Sequence, residues 1–199
     1  ETIKECAPDN YDYNEGAKNI LNQLFLWVSG NDILATNPFT RSSQIGSPQK
    51  GFYIAGATGV GKTTLMKLFI KAVDRLNVKE ETVTGYSARL APRFISAKSL
   101  SRDFIKRGYE ALNINAYSIL LDDVGSEQLD CIHMGNHVNV VDEIVNNIYE
   151  RNYGYLFITS NYPLGSAEFA ERYGDRLQSR IVELCNYIEL KGHDYRIGK

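Results

Sequence analysis

This sequence predicts an α/β fold with a parallel sheet and helices on both faces, on three observations. Short apolar runs alternate with helical stripes along most of the 199 residues, the pattern of a sheet whose strands are joined by helical crossovers. Residues 117–122, Tyr-Ser-Ile-Leu-Leu-Asp, are apolar on both faces, as a strand buried between two helical layers should be. A glycine-rich turn joins the first apolar run to a helical stripe, which puts an anion cradle at a strand end.

The elements follow in order. Ala17, Ile20, Leu21, Leu24, Phe25 and Val28 recur at helical spacing and predict a helix over 13–30. Trp27 sits beside that stripe and is expected to pack. Residues 36–50 are rich in Ser, Pro, Asn and Gly and read as a loop. A strand over 51–55 precedes a helix over 62–76, whose one face carries Leu65, Leu68, Phe69, Ala72, Val73 and Leu76. A second strand (93–96) and helix (98–107), a third strand (117–122) and helix (138–151), and a fourth strand (155–160) and helix (167–184) lead to a fifth strand over 187–190.

At this length one domain is expected. Residues 1–12 read as a tail or connector. Residues 13–199 read as one unit, with its N-terminal helix (13–30) and a core over 50–199 that contains the glycine-rich turn. Apolar residues at 43% and charged residues at 23% exclude a disordered or collagenous chain. Lys and Arg number 22 against 24 Asp and Glu, a net charge of −2. A basic field over the whole molecule is therefore excluded, and any nucleic-acid contact must come from a local patch. No apolar run is long enough for a membrane helix, and no signal peptide opens the sequence, so a cytoplasmic protein without membrane attachment is expected. The three cysteines, Cys6, Cys131 and Cys185, are sparse and odd in number, as for free thiols in a reducing compartment. Cys131, His133 and His137 are metal-ligand types, but no second cysteine completes a common zinc spacing, so a loop is expected there.

The strongest motif is Gly56-Ala57-Thr58-Gly59-Val60-Gly61-Lys62-Thr63, followed by Thr64. It matches the phosphate loop G-x-x-x-x-G-K-[ST], with a strand before it and an amphipathic helix after it. Glycines let the backbone wrap an anion closely, and successive N–H groups with a helix N-terminus supply positive charge. Lys62 is expected to reach the terminal phosphates and the Thr63 hydroxyl to ligate Mg²⁺. Asp122 and Asp123 end the buried third strand, at the sheet edge where ligands bind in open α/β folds. Asp122 is expected to hold Mg²⁺ and Asp123 to deprotonate an attacking water. Asn161, at the tip of the fourth strand, reads either as a ligand of that water or as an ordinary turn residue before Pro163. Arg176 and Arg180 lie one helical turn apart, either to meet a neighbour's phosphate or as a solvated face with Asp175 and Glu183. Lys98, Arg102 and Lys106 form a basic stripe, with Arg107 nearby, suited to a phosphate backbone or simply to solvent.

Taken together these residues resemble the AAA+ ATPases, more narrowly the DnaC/DnaI helicase-loader group and its relative, the IstB transposition helpers. The phosphate loop, Leu120-Leu121-Asp122-Asp123-Val124-Gly125, Ile158-Thr159-Ser160-Asn161, the stretch 173–181 and the tail 189–196 carry the resemblance, which covers about residues 15–196. It implies a three-layer P-loop fold with a five-stranded parallel sheet in the order 5-1-4-3-2, and ATP with Mg²⁺ as ligands. It also implies Asn161 as the sensor of the γ-phosphate and Arg180 as an arginine finger acting across a subunit interface, with Arg176 as second choice. Asp123 stands where most AAA+ proteins have glutamate, which implies slow hydrolysis or switch-like use of the nucleotide. Only three residues follow Arg196, so no C-terminal lid domain is expected, and Arg196 is the one candidate to replace the lid's arginine. The implied role is a replication ATPase that self-associates into a ring or spiral and binds a replicative helicase and single-stranded DNA. A transposition helper is the near alternative. A small P-loop kinase or a nucleotide-gated binding module are the alternatives of other classes.

Overall fold

The computed structural model describes residues 14–81, 85 and 87–195. The segment 1–12 read as a tail, Cys6 within it, and Arg196 lie outside the described residues. Helix α1 (Glu15–Val28) is capped by the Asn14 side chain, which accepts a hydrogen bond from the Ala17 amide, satisfying one of the donors that a helix start leaves open. It buries Ala17, Ile20, Leu21, Leu24 and Trp27. The Trp27 ring meets Tyr155, Phe157 and Phe52 edge-on at 4.8, 5.3 and 6.1 Å, so this tryptophan is a packing residue.

Strands β1 (Leu34–Thr36) and β2 (Ser43–Ile45) pair antiparallel. This corrects the reading of 36–50 as loop throughout. Strands of three residues are too short to show a period, and the turn between them is tied by Asn37, whose side chain accepts from the amides of Phe39 and Thr40. Strand β3 (Gly51–Ala55) leads into helix α2 (Lys62–Arg75). A second hairpin, β4 (Lys79–Glu81) with β5 (Ser87–Arg89), precedes β6 (Arg93–Ser96) and helix α3 (Ala97–Arg107), which runs on into a 3₁₀ turn, Gly108–Leu112. Strand β7 (Ser118–Val124) extends two residues beyond the predicted end. A third hairpin, β8 (Cys131–His133) with β9 (Asn136–Val138), stands where a loop was expected. Helix α4 (Val140–Arg151), strand β10 (Tyr155–Ser160), helix α5 (Ala167–Leu184) and strand β11 (Cys185–Glu189) complete the chain. Helix α5 is broken at Gly174, whose φ of 80° and ψ of 164° are not helical.

Five strands pair in parallel in the order β11-β3-β10-β7-β6, which is the order 5-1-4-3-2 of the predicted strands. Successive residues of β3 face opposite layers. Phe52 and Ile54 join α1 and α2 on one side, with Leu120 and Phe157. Tyr53 and Ala55 join α3, α4 and α5 on the other, with Leu121 and Ile158. The result is three layers. Because all five strands run the same way, the C-terminal ends of β3, β7 and β10 lie together on one edge, and the motif residues follow those ends. Among the described residues no helix is long and apolar enough to cross a membrane.

Candidate nucleotide-binding site

The phosphate loop leaves β3 at Gly56, whose amide donates to the Ser160 carbonyl of β10 at 3.2 Å. Gly59 and Gly61 have φ of 79° and 94°, a left-handed backbone that a side chain would strain. Gly61 also occupies the N-cap of α2 and provides no side-chain hydrogen bond. By contrast Asn14, Asn139 and Ser166 cap α1, α4 and α5 with their own oxygens. The start of α2 therefore offers its amides and its positive end to an external anion. Val60 is buried and anchors the loop; Ala57, Thr58 and Thr64 are exposed.

Lys62 is buried at 7% exposure. Its Nζ donates to the Gly56 carbonyl (2.7 Å), the Ala57 carbonyl (2.9 Å) and Asn161 Oδ1 (2.7 Å). The ammonium thus lies in the loop's own concavity, and Asn161 arrives there from the tip of β10. Thr63 Oγ1 donates to Asp122 Oδ2 at 3.1 Å, and Thr159 Oγ1 donates to Asp122 Oδ1 at 2.8 Å. The Thr63 hydroxyl and the Asp122 carboxylate are a donor set of hard oxygens, suited to Mg²⁺.

Where β7 meets β10 the register shifts: Ile158 pairs Leu121, but Ser160 pairs Val124. Two residues, Asp122 and Asp123, therefore oppose Thr159 alone. A bulge of this kind turns side chains to new directions. It carries Asp123 into a left-handed φ of 59°, a conformation that costs an L-residue about 1–2 kcal/mol. The Thr159 oxygen holds the bulge by accepting from the Asp123 amide at 2.9 Å. The sequence places Thr159 near a strand tip, but its double contact with both aspartates depends on the bulge.

Burial pushes the Asp122 carboxyl above its usual range, and hydrogen bonds from Thr159 and Thr63 pull against that shift. A carboxyl raised in the folded state favours its protonated form, so its contribution to stability falls as pH rises from about 3.9, the unfolded value, through the raised folded value. Asp122→Asn is accordingly expected to melt at the same temperature as the wild type or higher at pH 7 without nucleotide. The gap should close as pH falls toward 4. The same substitution removes a charged oxygen from the donor set suited to Mg²⁺; if that set holds the ion, Mg²⁺-dependent nucleotide affinity should fall about tenfold or more. Melting curves across pH and a Mg²⁺ titration read the two effects separately.

Arg180 lies on α5 and is directed at α4. Its Nη1 donates to Asn146 Oδ1, and its guanidinium stands over the Tyr149 ring at 5.1 Å. Arg176 is exposed. The structure thus brings Lys62 against Asn161 and Thr63 against Asp122, and holds Arg180 against a neighbouring helix of its own chain. The tail after β11 crosses the phosphate loop: the Leu190 amide donates to the Ala55 carbonyl (2.7 Å) and the Tyr195 amide to the Gly59 carbonyl (3.2 Å). Asp194 lies so close to Gly59 that a Cβ there would fall 1.8 Å from its carboxylate. The backbone angle requires glycine at position 59; the Asp194 carboxylate, the end of a flexible side chain, could swing away from a Cβ there.

Solved structures share this fold, a five-stranded parallel sheet in this order with a glycine-rich loop after β3 and an acidic end to β7. DnaI matches with a TM-score of 0.62 at 19% identity, over 96% of this chain and 91% of its own. The DnaC helicase loader matches at 0.59 and 20%, over 96% and 99%. A proposed primosome component from Streptococcus pyogenes serotype M3 matches at 0.61 and 18%, over 98% and 91%. No protein-family model matches the chain, and no curated protein matches it by sequence.

Proposed function

We propose that the chain is a helicase-loader-like AAA+ ATPase of DNA replication, which binds ATP with Mg²⁺ and hydrolyses it slowly. One observation carries the reading: Lys62, Asn161, Thr63 and Asp122, drawn from three separate segments, converge on a single phosphate loop. The fold shared with DnaI and the DnaC helicase loader over nearly the whole chain supports the helicase-loader class. Residues 13–199 then act as one ATPase domain in the cytoplasm.

In this reading the amides of Gly59, Gly61 and Lys62 and the Lys62 ammonium hold the β- and γ-phosphates. Thr63 and Asp122 would hold Mg²⁺, which would supply positive charge against the phosphates. Asp123 accepts a proton from the water whose oxygen forms the new bond to the γ-phosphorus, as the bond from that phosphorus to the bridging oxygen breaks and ADP leaves. Asn161 orients that water and the γ-phosphate. A neighbouring copy's Arg180 balances the charge that develops, so turnover requires self-association. Aspartate at 123 is one methylene shorter than glutamate, and the longer gap to the water accounts for slow hydrolysis.

Single-stranded DNA and a replicative helicase complete the proposal. Lys98, Arg102, Lys106 and Arg107 are exposed along α3, with Asp103 the one acid of that helix, 3.8 Å from Arg107. Converting Arg102 and Lys106 together to alanine should weaken binding of a fluorescent oligothymidylate. It should also lower the log–log salt slope by about 0.7 for each phosphate that is no longer neutralised. An unchanged slope would place the DNA elsewhere. The overall reading is tested by turnover of the wild-type chain against protein concentration, with and without DNA. Phosphate release that rises per chain with concentration is the expected result. Phosphoryl transfer to a nucleoside or nucleotide acceptor would replace it with a kinase, and stimulation by a transposase in place of a helicase would move it to the transposition helpers.

A further inference from the structure

Glu127 has no role in any sequence motif, yet its carboxylate is fully buried. A buried carboxylate is costly unless paired and hydrogen-bonded, and this one is divided between two elements. Its Oε2 accepts from the Gly125 amide at 2.7 Å, within the turn that follows β7. Its Oε1 accepts from the Tyr173 hydroxyl and lies 3.4 Å from Arg172 Nη2, and that same nitrogen donates to the Glu127 carbonyl at 2.7 Å. Tyr173 is the last residue before the break of α5 at Gly174. Arg176 and Arg180 lie just beyond the break.

The turn end of this connection is closely packed. Gly125 has a φ of 109°, and a Cβ there would fall 2.4 Å from the Tyr162 ring. Tyr162 directly follows Asn161, and its carbonyl accepts from the Tyr53 hydroxyl at 2.7 Å. The Ser160 hydroxyl donates to the Val124 carbonyl at 2.6 Å. The backbone that carries Asp123 and the backbone that carries Asn161 are therefore fastened together, and Glu127 fastens both to α5.

We propose that Glu127 is a positioning residue that couples the acidic turn bearing Asp123 to the arginine-bearing half of α5, so that one subunit's site and the arginine it presents to the next are set together. The coupling rests on the ATPase reading above. Movement at Asp123 shifts Gly125; Glu127 transmits that shift to Tyr173; and the break at Gly174 lets the second half of α5 respond without unwinding the first.

Two variants of the full chain test this. Glu127→Gln keeps the shape and, with its oxygen on the Gly125 amide, turns an NH2 toward Tyr173 and Arg172; the tyrosine hydroxyl can accept from it, but the charge that faces the guanidinium is gone, so the attachment to α5 is weakened. Turnover should fall about tenfold while the ATP dissociation constant stays within about twofold. Tyr173→Phe keeps the ring against Phe169, 4.8 Å away, and loses only the hydroxyl, so it serves where Glu127→Gln does not fold. It too should turn over about tenfold more slowly. Mixing Tyr173→Phe with equimolar Lys62→Ala should restore the rate per intact site, because the Lys62→Ala subunit presents an undamaged arginine helix. No restoration, with ATP uptake intact, overturns the coupling and leaves Glu127 a fold-holding residue. A wild-type chain that takes up no ATP in the same titration defeats the nucleotide reading instead.

Discussion

A Lys62→Ala chain is expected to bind ATP about a hundredfold more weakly than the wild type, a loss of about 2–3 kcal/mol, or to show no uptake by calorimetry. The reason lies in the phosphate loop's own carbonyls. The ammonium bridges Gly56, Ala57 and Asn161, so the protein itself desolvates and places it. Contacts from a preplaced charge to a phosphate are charge-assisted and strong. Alanine removes the charge and leaves the Gly56 and Ala57 carbonyls facing the concavity, where they repel phosphate oxygens. Lys62→Arg should rescue poorly, because a planar fork does not reproduce a compact ammonium held among three oxygens. The alanine substitution also removes hydrogen bonds within the ligand-free chain, so a small drop in melting temperature should accompany it. Uptake undiminished in a folded Lys62→Ala chain would falsify the phosphate-cradle assignment.

The features legible in the sequence are those that local chemistry dictates. The glycines and Lys62 announce a loop because backbone angle and charge are needed at those positions. The runs at 51–55 and 155–160 announce strands because burial on both faces leaves no polar alternation. The sheet order came from the resemblance to AAA+ proteins and not from periodicity. Non-local geometry stayed hidden. The bulge at Asp122 and Asp123 exists only because Thr159 stands opposite both, 36 and 37 residues away along the chain. The break at Gly174 interrupts a helix whose apolar positions continue on either side. Glu127 reads as a polar loop residue until Arg172 and Tyr173, 45 and 46 residues on, are folded against it. The hairpin over 131–138 turns at Met134 and Gly135, whose φ of 48° and 82° suit a tight two-residue connection; strands of three residues offered no pattern to find.

Arg180→Ala is expected to leave ATP affinity within about twofold of the wild type and to lower turnover by up to about 10³-fold, the size of effect known for arginines that complete a phosphoryl-transfer site. Where Arg180 lies decides how that result is read. Its guanidinium is engaged by Asn146 and Tyr149 of α4, and Tyr149 is itself tied by its hydroxyl to Glu183 at 3.0 Å. A side chain held in this way must leave or share these contacts to reach a neighbour's phosphate. Two roles are compatible with that arrangement, and they predict different data. If Arg180 only packs α5 on α4, alanine costs about 1–2 kcal/mol through the missing hydrogen bond and cation–π interaction, seen as a lower melting temperature with turnover per folded chain unchanged. If it completes a neighbour's site, the rate per chain no longer rises with protein concentration, and the rate at extreme dilution equals that of the wild type. Arg176→Ala distinguishes the two arginines. Arg176 is exposed and its removal should barely move the melting temperature, so a concentration-dependent loss in that variant, with Arg180→Ala active, would transfer the finger to position 176.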